Sequence, residues 1–228
     1  QENDINVYGH TLLWHQQTPA WVFNDADGNK MSATEENKAI LLSRLENHIR
    51  GVAGHFKGQV YAWDVVNEVI DSGQSDGLRR SDWYNIAGPD YIRTAFKVTH
   101  EVDPDAKLCI NDYNTTESAK RTALFNLVKQ LKGEGIPVDC VGHQMHSNID
   151  WPTGADTDTT LTQFESLDVT QRITEMDVSI YNNNNDSYTS IPADAYTKQD
   201  ARYKALFQVF LKHAASIDSV TFWGLADD

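Results

Sequence analysis

Residues 63–68 read Trp-Asp-Val-Val-Asn-Glu, and this stretch decides how the rest of the chain is interpreted. The run is apolar and rich in β-branched side chains, as expected of a buried strand, and it ends on the carboxylate of Glu68. A second run of this kind, Ile-Thr-Glu-Met-Asp at residues 173–177, carries Glu175 near its end. Barrels of alternating strands and helices present their functional groups at the carboxyl ends of their strands. The two runs therefore predict barrel strands that each deliver a glutamate to the same rim.

Short apolar runs alternate with helical patterns along the chain. We predict six strands, at residues 5–13, 60–66, 107–111, 138–144, 170–176 and 219–223. The clearest helical patterns lie between them, at residues 34–56, 90–102, 116–132 and 198–215. This alternation predicts parallel strand–helix–strand units and hence the α/β class. Six units fall short of a full (β/α)8 TIM barrel, which usually takes about 250 residues. We therefore predict one domain over residues 1–228, an incomplete barrel whose unpaired edges would invite association.

The composition narrows the possible functions. The chain has 228 residues, of which 40% are hydrophobic and 23% charged, as in an ordinary globular domain with a large core. No apolar run reaches the roughly 18 residues of a membrane helix, so no membrane partner is predicted. The net charge of −14 argues against nucleic acid, because no basic cluster could neutralise phosphates. Residues 1–4 are polar, so no signal peptide is predicted at the start of this chain.

The chain has two cysteines, Cys109 and Cys140, and both lie in apolar strand-like runs. Two cysteines form neither a disulfide scaffold nor a metal-ligand pattern. Because free cysteine is among the most buried residue types, we predict two buried free thiols.

Two glutamates on different strands at one rim suggest the carboxyl pair of a glycoside hydrolase. This chemistry needs one carboxyl group that holds a proton for the departing oxygen and one that is ionised. Residues two apart on a strand share a face, which places Asp177 beside Glu175. By the same spacing His146 lies beside Gln144. The pattern therefore predicts polar neighbours for the carboxyl groups at the same rim.

Five stretches, in order along the chain, resemble the motifs of glycoside hydrolase family 10, whose members are mostly endo-β-1,4-xylanases. They are Gly-His-Thr-Leu-Leu-Trp-His at residues 9–15, the run at 63–68, Gly-His-Gln-Met-His at 142–146, Thr-Glu-Met-Asp at 174–177 and Thr-Phe-Trp-Gly at 221–224. The resemblance implies a secreted, endo-acting, retaining hydrolase that cleaves β-1,4-xylosidic bonds in xylan and needs no cofactor or metal. It equates the six predicted strands with the third to eighth barrel strands. The first two strand–helix units and the last helix of the family are then missing.

The resemblance also assigns individual residues. Glu68 would be the acid/base and Glu175 the nucleophile, with carboxyl groups about 5–5.5 Å apart. Asp177 would support the nucleophile by fixing the tautomer and charge of a histidine. The implied substrate-binding residues are His10, Trp14, Asn67, Tyr113, Gln144, His146 and Trp223. A straight strand would send Asn67 and Glu68 to opposite faces, yet the family uses both, so we predict an irregular strand end.

Sugar rings have flat apolar faces edged with hydroxyls, which aromatic rings and polar side chains can match. The resemblance places Trp14, Trp223 and His10 on the non-reducing side of the cut and Tyr113 on the leaving-group side. Further candidates with weaker support are His15, His143 and Asn148.

Two alternative functions remain open. A related β-1,4-glucanase or mannanase could use the same pair of glutamates. A non-catalytic xylan-binding fragment is the other alternative, because the sugar-binding asparagine and lysine of the family's second strand have no counterpart here. The family's tryptophan beyond the eighth strand is missing as well. A companion segment that supplies the missing strands would be the partner, besides xylan or xylo-oligosaccharides, that this interpretation requires.

Overall fold

The computed structural model describes residues 5–183 and 185–225. Strands alternate with helices, which confirms the predicted α/β class. The strands are β1 (Val7–Gly9), β2 (Val60–Asn67), β3 (Lys107–Asp112), β4 (Cys140–His143), β5 (His146–Asn148), β6 (Thr170–Ser179) and β7 (Ile217–Phe222). The helices are α1 (Glu35–His55), α2 (Asp82–Ala87), α3 (Asp90–Val102), α4 (Ser118–Gly133), α5 (Gly154–Glu165) and α6 (Ala195–Lys212), with a 3-10 helix at Ala20–Phe23. The polar opening at residues 1–4 lies outside the described residues.

The strands form one parallel sheet in the order β1-β2-β3-β4-β6-β5, and β7 pairs with the other edge of β6. β4 pairs with residues 170–173 of β6, and β5 pairs with residues 177–179 of the same strand. β4 and β5 therefore run along one side of β6 as a single strand interrupted after residue 143. The described strands fill six positions of a barrel wall, in agreement with the predicted incomplete (β/α)8 barrel.

The sheet is open on one side. Within the described part of the chain, β1 pairs with β2 alone and β7 pairs with β6 alone. Val7 on β1 is 45% exposed and Phe222 on β7 is 53% exposed, so both edges present apolar side chains to solvent. These two edges border the gap where the remaining strands of a complete barrel would lie.

The helices pack on the outer face of the sheet. α1 buries Leu41, Leu45 and Ile49, which share one helix face. Thr34 caps this helix, because its side chain accepts a hydrogen bond from the amide of Asn37 at 3.2 Å. One large apolar cluster joins α1 to α4 with β2 to β4, and a second joins α5 and α6 with β6. No helix in the described ranges is long and apolar enough to cross a membrane.

A disulfide joins Cys109 and Cys140, so the prediction of free thiols was wrong. Both cysteines are buried, as predicted, with 0% and 1% exposure. They lie directly opposite each other on the paired strands β3 and β4, with their Cα atoms 4.4 Å apart. The two cysteines are 31 positions apart in the sequence, and only the pairing of β3 with β4 shows that they are neighbours.

Candidate active site

The predicted site residues come together at the carboxyl rim of the sheet. A cleft of about 1020 Å³ is lined by His10, Trp14, Asn67, Glu68, Tyr113, Gln144, His146, Glu175 and Trp223, together with further residues. Asp177 lines an adjoining pocket of about 610 Å³, which shares Asn114 and His146 with the cleft. Within the described ranges, no group of three or more His, Cys, Asp or Glu side chains is placed to hold a metal ion.

The end of β2 turns sharply at Glu68. Its φ of 58° lies in the left-handed region, which side chains other than glycine rarely adopt, so the strand end is irregular as predicted. The turn directs two successive side chains to one partner. The side-chain amide of Gln144 donates to Asn67 Oδ1 at 3.2 Å and to Glu68 Oε1 at 3.1 Å. The backbone amide of Glu68 donates to the carbonyl oxygen of Asn111 at 2.9 Å, which fixes the turn against β3.

The second glutamate, Glu175, is 6% exposed and faces the same group of amides. Its Oε1 accepts a hydrogen bond from Asn111 Nδ2 at 2.9 Å, and the same nitrogen donates to Asn67 Oδ1 at 3.0 Å. Asn67, Asn111 and Gln144 therefore connect the two carboxylates through shared hydrogen bonds. The separation of about 5–5.5 Å between the carboxyl groups stays a prediction.

His146 lies between two carboxylates. Its Nε2 is 3.0 Å from Glu175 Oε2, and its Nδ1 is 2.9 Å from Asp177 Oδ2. Burial of the ring favours its neutral form, but the hydrogen bonds and charges of Asp177 and Glu175 raise the pKa of His146 from 6.5 to about 9. The imidazolium then donates a hydrogen bond to each of the two carboxylates. The shared strand face of Glu175 and Asp177 makes this bridge possible.

His10 is held by a buried carboxylate. Its Nδ1 is 2.8 Å from Asp64 Oδ2, and the hydroxyl of Tyr8 donates to the other oxygen of the same carboxylate. Burial raises the pKa of Asp64, against the hydrogen bonds from His10 and Tyr8. Burial would lower the pKa of His10, but the hydrogen bond to Asp64 and the charges of nearby carboxylates together raise it. His10 lines the cleft, and its bond to Asp64 fixes the orientation of the ring.

Aromatic rings form much of the remaining wall. Trp14 is paired with the end of β2 through a backbone bridge to Asn67. Trp223 follows β7, is 58% exposed and meets the His146 ring edge-on, with ring centroids 5.8 Å apart. Tyr113 follows β3, and its hydroxyl accepts a hydrogen bond from Arg79 at 2.9 Å. The cleft thus combines flat apolar surfaces with amide and imidazole groups, as a sugar-binding site requires.

The three weaker candidates have different outcomes. His15 lines the cleft, with its Nδ1 4.0 Å from Glu68 Oε2, and Asn148 lines the adjoining pocket. His143 lines neither, because its side chain lies inside the fold between Thr115 and Gln171. Burial lowers the pKa of His143 to about 4, so this ring is neutral at physiological pH.

Three side chains of the site were not predicted: Asp64, Asn111 and Arg79. Asp64 offered a signal, since a lone carboxylate inside an apolar strand needs a buried partner. Asn111 is a polar residue at the end of a predicted strand, which is where barrel strands present functional groups. Arg79 lies in a polar loop, and nothing in its sequence context distinguishes it.

Glu68 and Glu175 thus face one cleft from separate strands at the carboxyl rim of the sheet, which is the arrangement that a glycoside hydrolase needs for its carboxyl pair. Comparison with known proteins also indicates a glycoside hydrolase, and it identifies the family. The model of glycosyl hydrolase family 10 matches residues 1–228, and the chain belongs to this family.

Relatives and solved structures support the same assignment. The chain is 47% identical to endo-1,4-beta-xylanase A of a Caldicellulosiruptor species, over 100% of this chain but only 34% of that protein. The crystal structure of xylanase B from Clostridium stercorarium matches with a TM-score of 0.94 and 42% identity, over 98% of this chain and 69% of that one. A mutant of the intracellular xylanase from Thermoanaerobacterium saccharolyticum, solved with xylotriose, matches with a TM-score of 0.86 and 39% identity, over 98% of this chain and 67% of that one.

Proposed function

We propose that the chain carries the catalytic centre of an endo-acting, retaining glycoside hydrolase that cleaves β-1,4-xylosidic bonds in xylan. The observation that carries the proposal is the set of shared amides through which Glu68 and Glu175 face one cleft. The substrate class is supported by a relative named endo-1,4-beta-xylanase and by a solved family structure that holds xylotriose.

The reaction proceeds in two displacements. In the first, ionised Glu175 attacks the anomeric carbon, while Glu68 donates its proton to the departing oxygen, so a covalent glycosyl-enzyme forms and the leaving chain departs neutral. In the second, Glu68 takes a proton from water, and this water attacks the anomeric carbon and releases the sugar from Glu175. His146 donates a hydrogen bond to Glu175 and holds this carboxylate in place for the first step.

The remaining residues of the cleft bind the sugar chain. Trp14 and Trp223 offer flat faces for the sugar on the non-reducing side, and His10 offers a ring nitrogen held in place by Asp64. Asn67 and Gln144 present amides beside both carboxylates. These contacts orient the bond to be cut between the two carboxyl groups, which is the part of catalysis that binding supplies.

We also propose that a companion segment closes the barrel along β1 and β7. Apolar side chains on both edges are exposed, including Val7 and Phe222. A complete barrel of this class has eight strands, and the described sheet has six strand positions. The segment would supply parallel strands between these edges and the sugar contacts that the chain lacks.

Secretion is part of the proposal, and the disulfide between Cys109 and Cys140 supports it. Disulfides persist in oxidising compartments and are rare where thiols are kept reduced. Family membership alone does not decide the compartment, since the relative from Thermoanaerobacterium saccharolyticum is described as intracellular.

The test is the release of reducing ends from xylan, carboxymethyl cellulose and mannan by the 228-residue polypeptide. We expect release from xylan, with a rapid fall in viscosity that indicates cutting within the chain. Glu175→Gln should abolish release and leave xylo-oligosaccharide binding largely intact. Glu36→Gln, an exposed carboxylate exchange on α1, is the matched control and should keep full activity.

Other outcomes would contradict the proposal in distinct ways. Faster release from cellulose or mannan would identify a glucanase or mannanase. Binding of xylo-oligosaccharides without any release would identify a xylan-binding fragment. Unchanged activity of Glu175→Gln would refute its role as the nucleophile.

A further inference from the structure

Arg79 connects two parts of the cleft that have no direct bond to each other. It lies in the loop after Glu68, and its backbone amide donates to the carbonyl oxygen of Val69 at 2.8 Å, which folds the loop back onto the end of β2. Its Nε donates to the carbonyl oxygen of Glu68 at 2.7 Å, and its Nη2 donates to the hydroxyl of Tyr113 at 2.9 Å. The planar guanidinium therefore fixes the backbone of one residue and the side chain of the other at once.

The first of these bonds acts on a backbone that needs support. Glu68 has a φ of 58°, a conformation that is unfavourable for residues other than glycine and persists only when its surroundings fix it. The amide of Glu68 is held by the carbonyl oxygen of Asn111 at 2.9 Å, and its carbonyl is held by Arg79. Arg79 thus supplies one of the two bonds that orient this residue's backbone.

The second bond acts on a ring that is already fixed at its other end. Lys120 lies over the face of Tyr113, with its Nζ 3.1 Å from the ring centroid, and it pairs with buried Asp112 at 2.8 Å. Asp112 also accepts the backbone amide of Tyr113 at 2.9 Å. Since ring and backbone are held from the β3 side, the bond to Arg79 sets the distance between Tyr113 and the Glu68 turn.

We propose that Arg79 is a positioning residue for protonation of the leaving group, an inference that rests on the proposed function. Arg79 holds the acid Glu68 and the ring of Tyr113, against which the leaving sugar lies, at one fixed separation. The proton of Glu68 then lies within hydrogen-bond reach of the departing oxygen. Arg79 itself gives up no proton and forms no bond to the sugar, so its effect depends on how much help the leaving group needs.

This dependence gives the test, which compares kcat/KM for two substrates. The sugar released from the reducing end of xylotriose departs as a basic alkoxide unless it is protonated, whereas the dinitrophenolate of an aryl β-xylobioside departs without a proton. Since a general acid contributes about 100- to 10,000-fold, we expect Arg79→Met to lower kcat/KM for xylotriose about 10- to 100-fold. We expect less than about a threefold loss for the aryl substrate, because its transition state makes no demand on the acid. Arg79→Lys, which keeps the charge but not the fork, should recover only part of the xylotriose rate.

The neighbouring Arg80 provides a matched control. It stacks on Tyr84, with its Cζ 4.0 Å from the ring centroid, and pairs with Asp76 at 2.9 Å, and it does not line the cleft. Arg80→Met should leave both values of kcat/KM unchanged. Equal losses for both substrates in Arg79→Met would overturn the proposal, because a general structural defect does not depend on the leaving group.

Xylotriose affinity provides a second test. It is needed if Arg79→Met folds poorly, or if the wild-type chain turns over neither substrate. In the second case the proposed function fails, and xylotriose affinity then tests whether Arg79 and Tyr113 act as one unit. Tyr113→Phe removes only the hydroxyl that Arg79 binds. Three variants are compared: Arg79→Lys, Tyr113→Phe and the double variant that combines them. If the Arg79 guanidinium and the Tyr113 hydroxyl act as one unit, all three variants weaken xylotriose binding by the same factor. Losses that multiply in the double variant would show that the two side chains act independently, and would overturn the proposal.

Discussion

Replacing His146 with glutamine should remove a contribution to stability that depends on pH. The ring bonds Glu175 and Asp177 at 3.0 and 2.9 Å. Burial alone would lower its pKa, but the hydrogen bonds to Asp177 and Glu175 raise the pKa from 6.5 to about 9. Glutamine is close in size and remains neutral over this range, so the exchange removes the titrating charge from the bridge.

The size of the effect follows from this pKa difference, which corresponds to about 3 kcal/mol between the two protonation states. The His146 side chain is 34% exposed and that of Asp177 is 41% exposed, so solvent screens the bridge. We therefore expect about 1–2 kcal/mol in the free energy of unfolding.

The direction follows from the sign of the pKa change. A group whose pKa is raised by folding stabilises the folded state below its unfolded pKa, and this stabilisation is lost as the pH rises through the folded pKa. For His146 the contribution is complete below pH 6.5 and disappears above about pH 9.

Urea unfolding of wild type and His146→Gln at about pH 6 and about pH 10 measures this loss as a change in the stability gap between the two proteins. We expect the unfolding free energy of the wild type to exceed that of His146→Gln by about 1–2 kcal/mol more at the lower pH than at the higher pH. His100→Gln, an exposed exchange on α3, is the matched control and should show no such change. A gap that is the same at both pH values, or that widens with rising pH, would refute the reasoning.

Two further predictions concern a glycine and the disulfide. In Gly142→Ala the new Cβ would lie 2.3 Å from Asn111 Oδ1, so we expect Asn111 to move away from Asn67 and Glu175, with lower kcat on xylan and a loss of about 1–3 kcal/mol in unfolding free energy. Gly51→Ala, which has no atom within 4 Å of its Cβ, should show neither effect, and equal behaviour of the two variants in activity and urea assays would contradict this account. Thiol titration of the denatured, unreduced protein should find no free thiol at Cys109 or Cys140, and reduction should lower the unfolding free energy by about 3–4 kcal/mol. Two titratable thiols before reduction would disprove the bond.

The sequence predicts the central strands well for a physical reason, whereas the strand predicted at residues 5–13 is limited to Val7–Gly9. Parallel strands buried on both faces form continuous apolar runs, such as residues 60–66, and these runs are visible without knowledge of the fold. The interruption between β4 and β5 was not predicted. It occurs where Met145 takes a φ of 62°. A positive φ is usually found at glycine or asparagine, so a methionine at this position gives no sequence signal for it.

In the candidate site, too, some contacts could be predicted from the sequence and others could not. Local spacing placed Glu175 and Asp177 on one face, and both contact His146 in the structure. Asn111 contacts Glu175 across 64 residues of sequence, and no periodic pattern reports a contact of that kind. The prediction of free thiols was wrong for the same reason. The residue type predicts that the two cysteines are buried, but it does not predict the strand register that makes them neighbours.

The left-handed backbone at Glu68 restricts how an inactive enzyme can be prepared for soaking with substrate. Asparagine and glycine tolerate a positive φ best, and glutamine keeps the length of the native side chain. A valine, isoleucine or threonine at this position would strain the turn and shift the neighbouring Asn67 as well. Crystallographers who want an intact sugar chain in the cleft should therefore choose Glu68→Gln or Glu68→Asn. A β-branched replacement would alter the shape of the cleft as well as its chemistry.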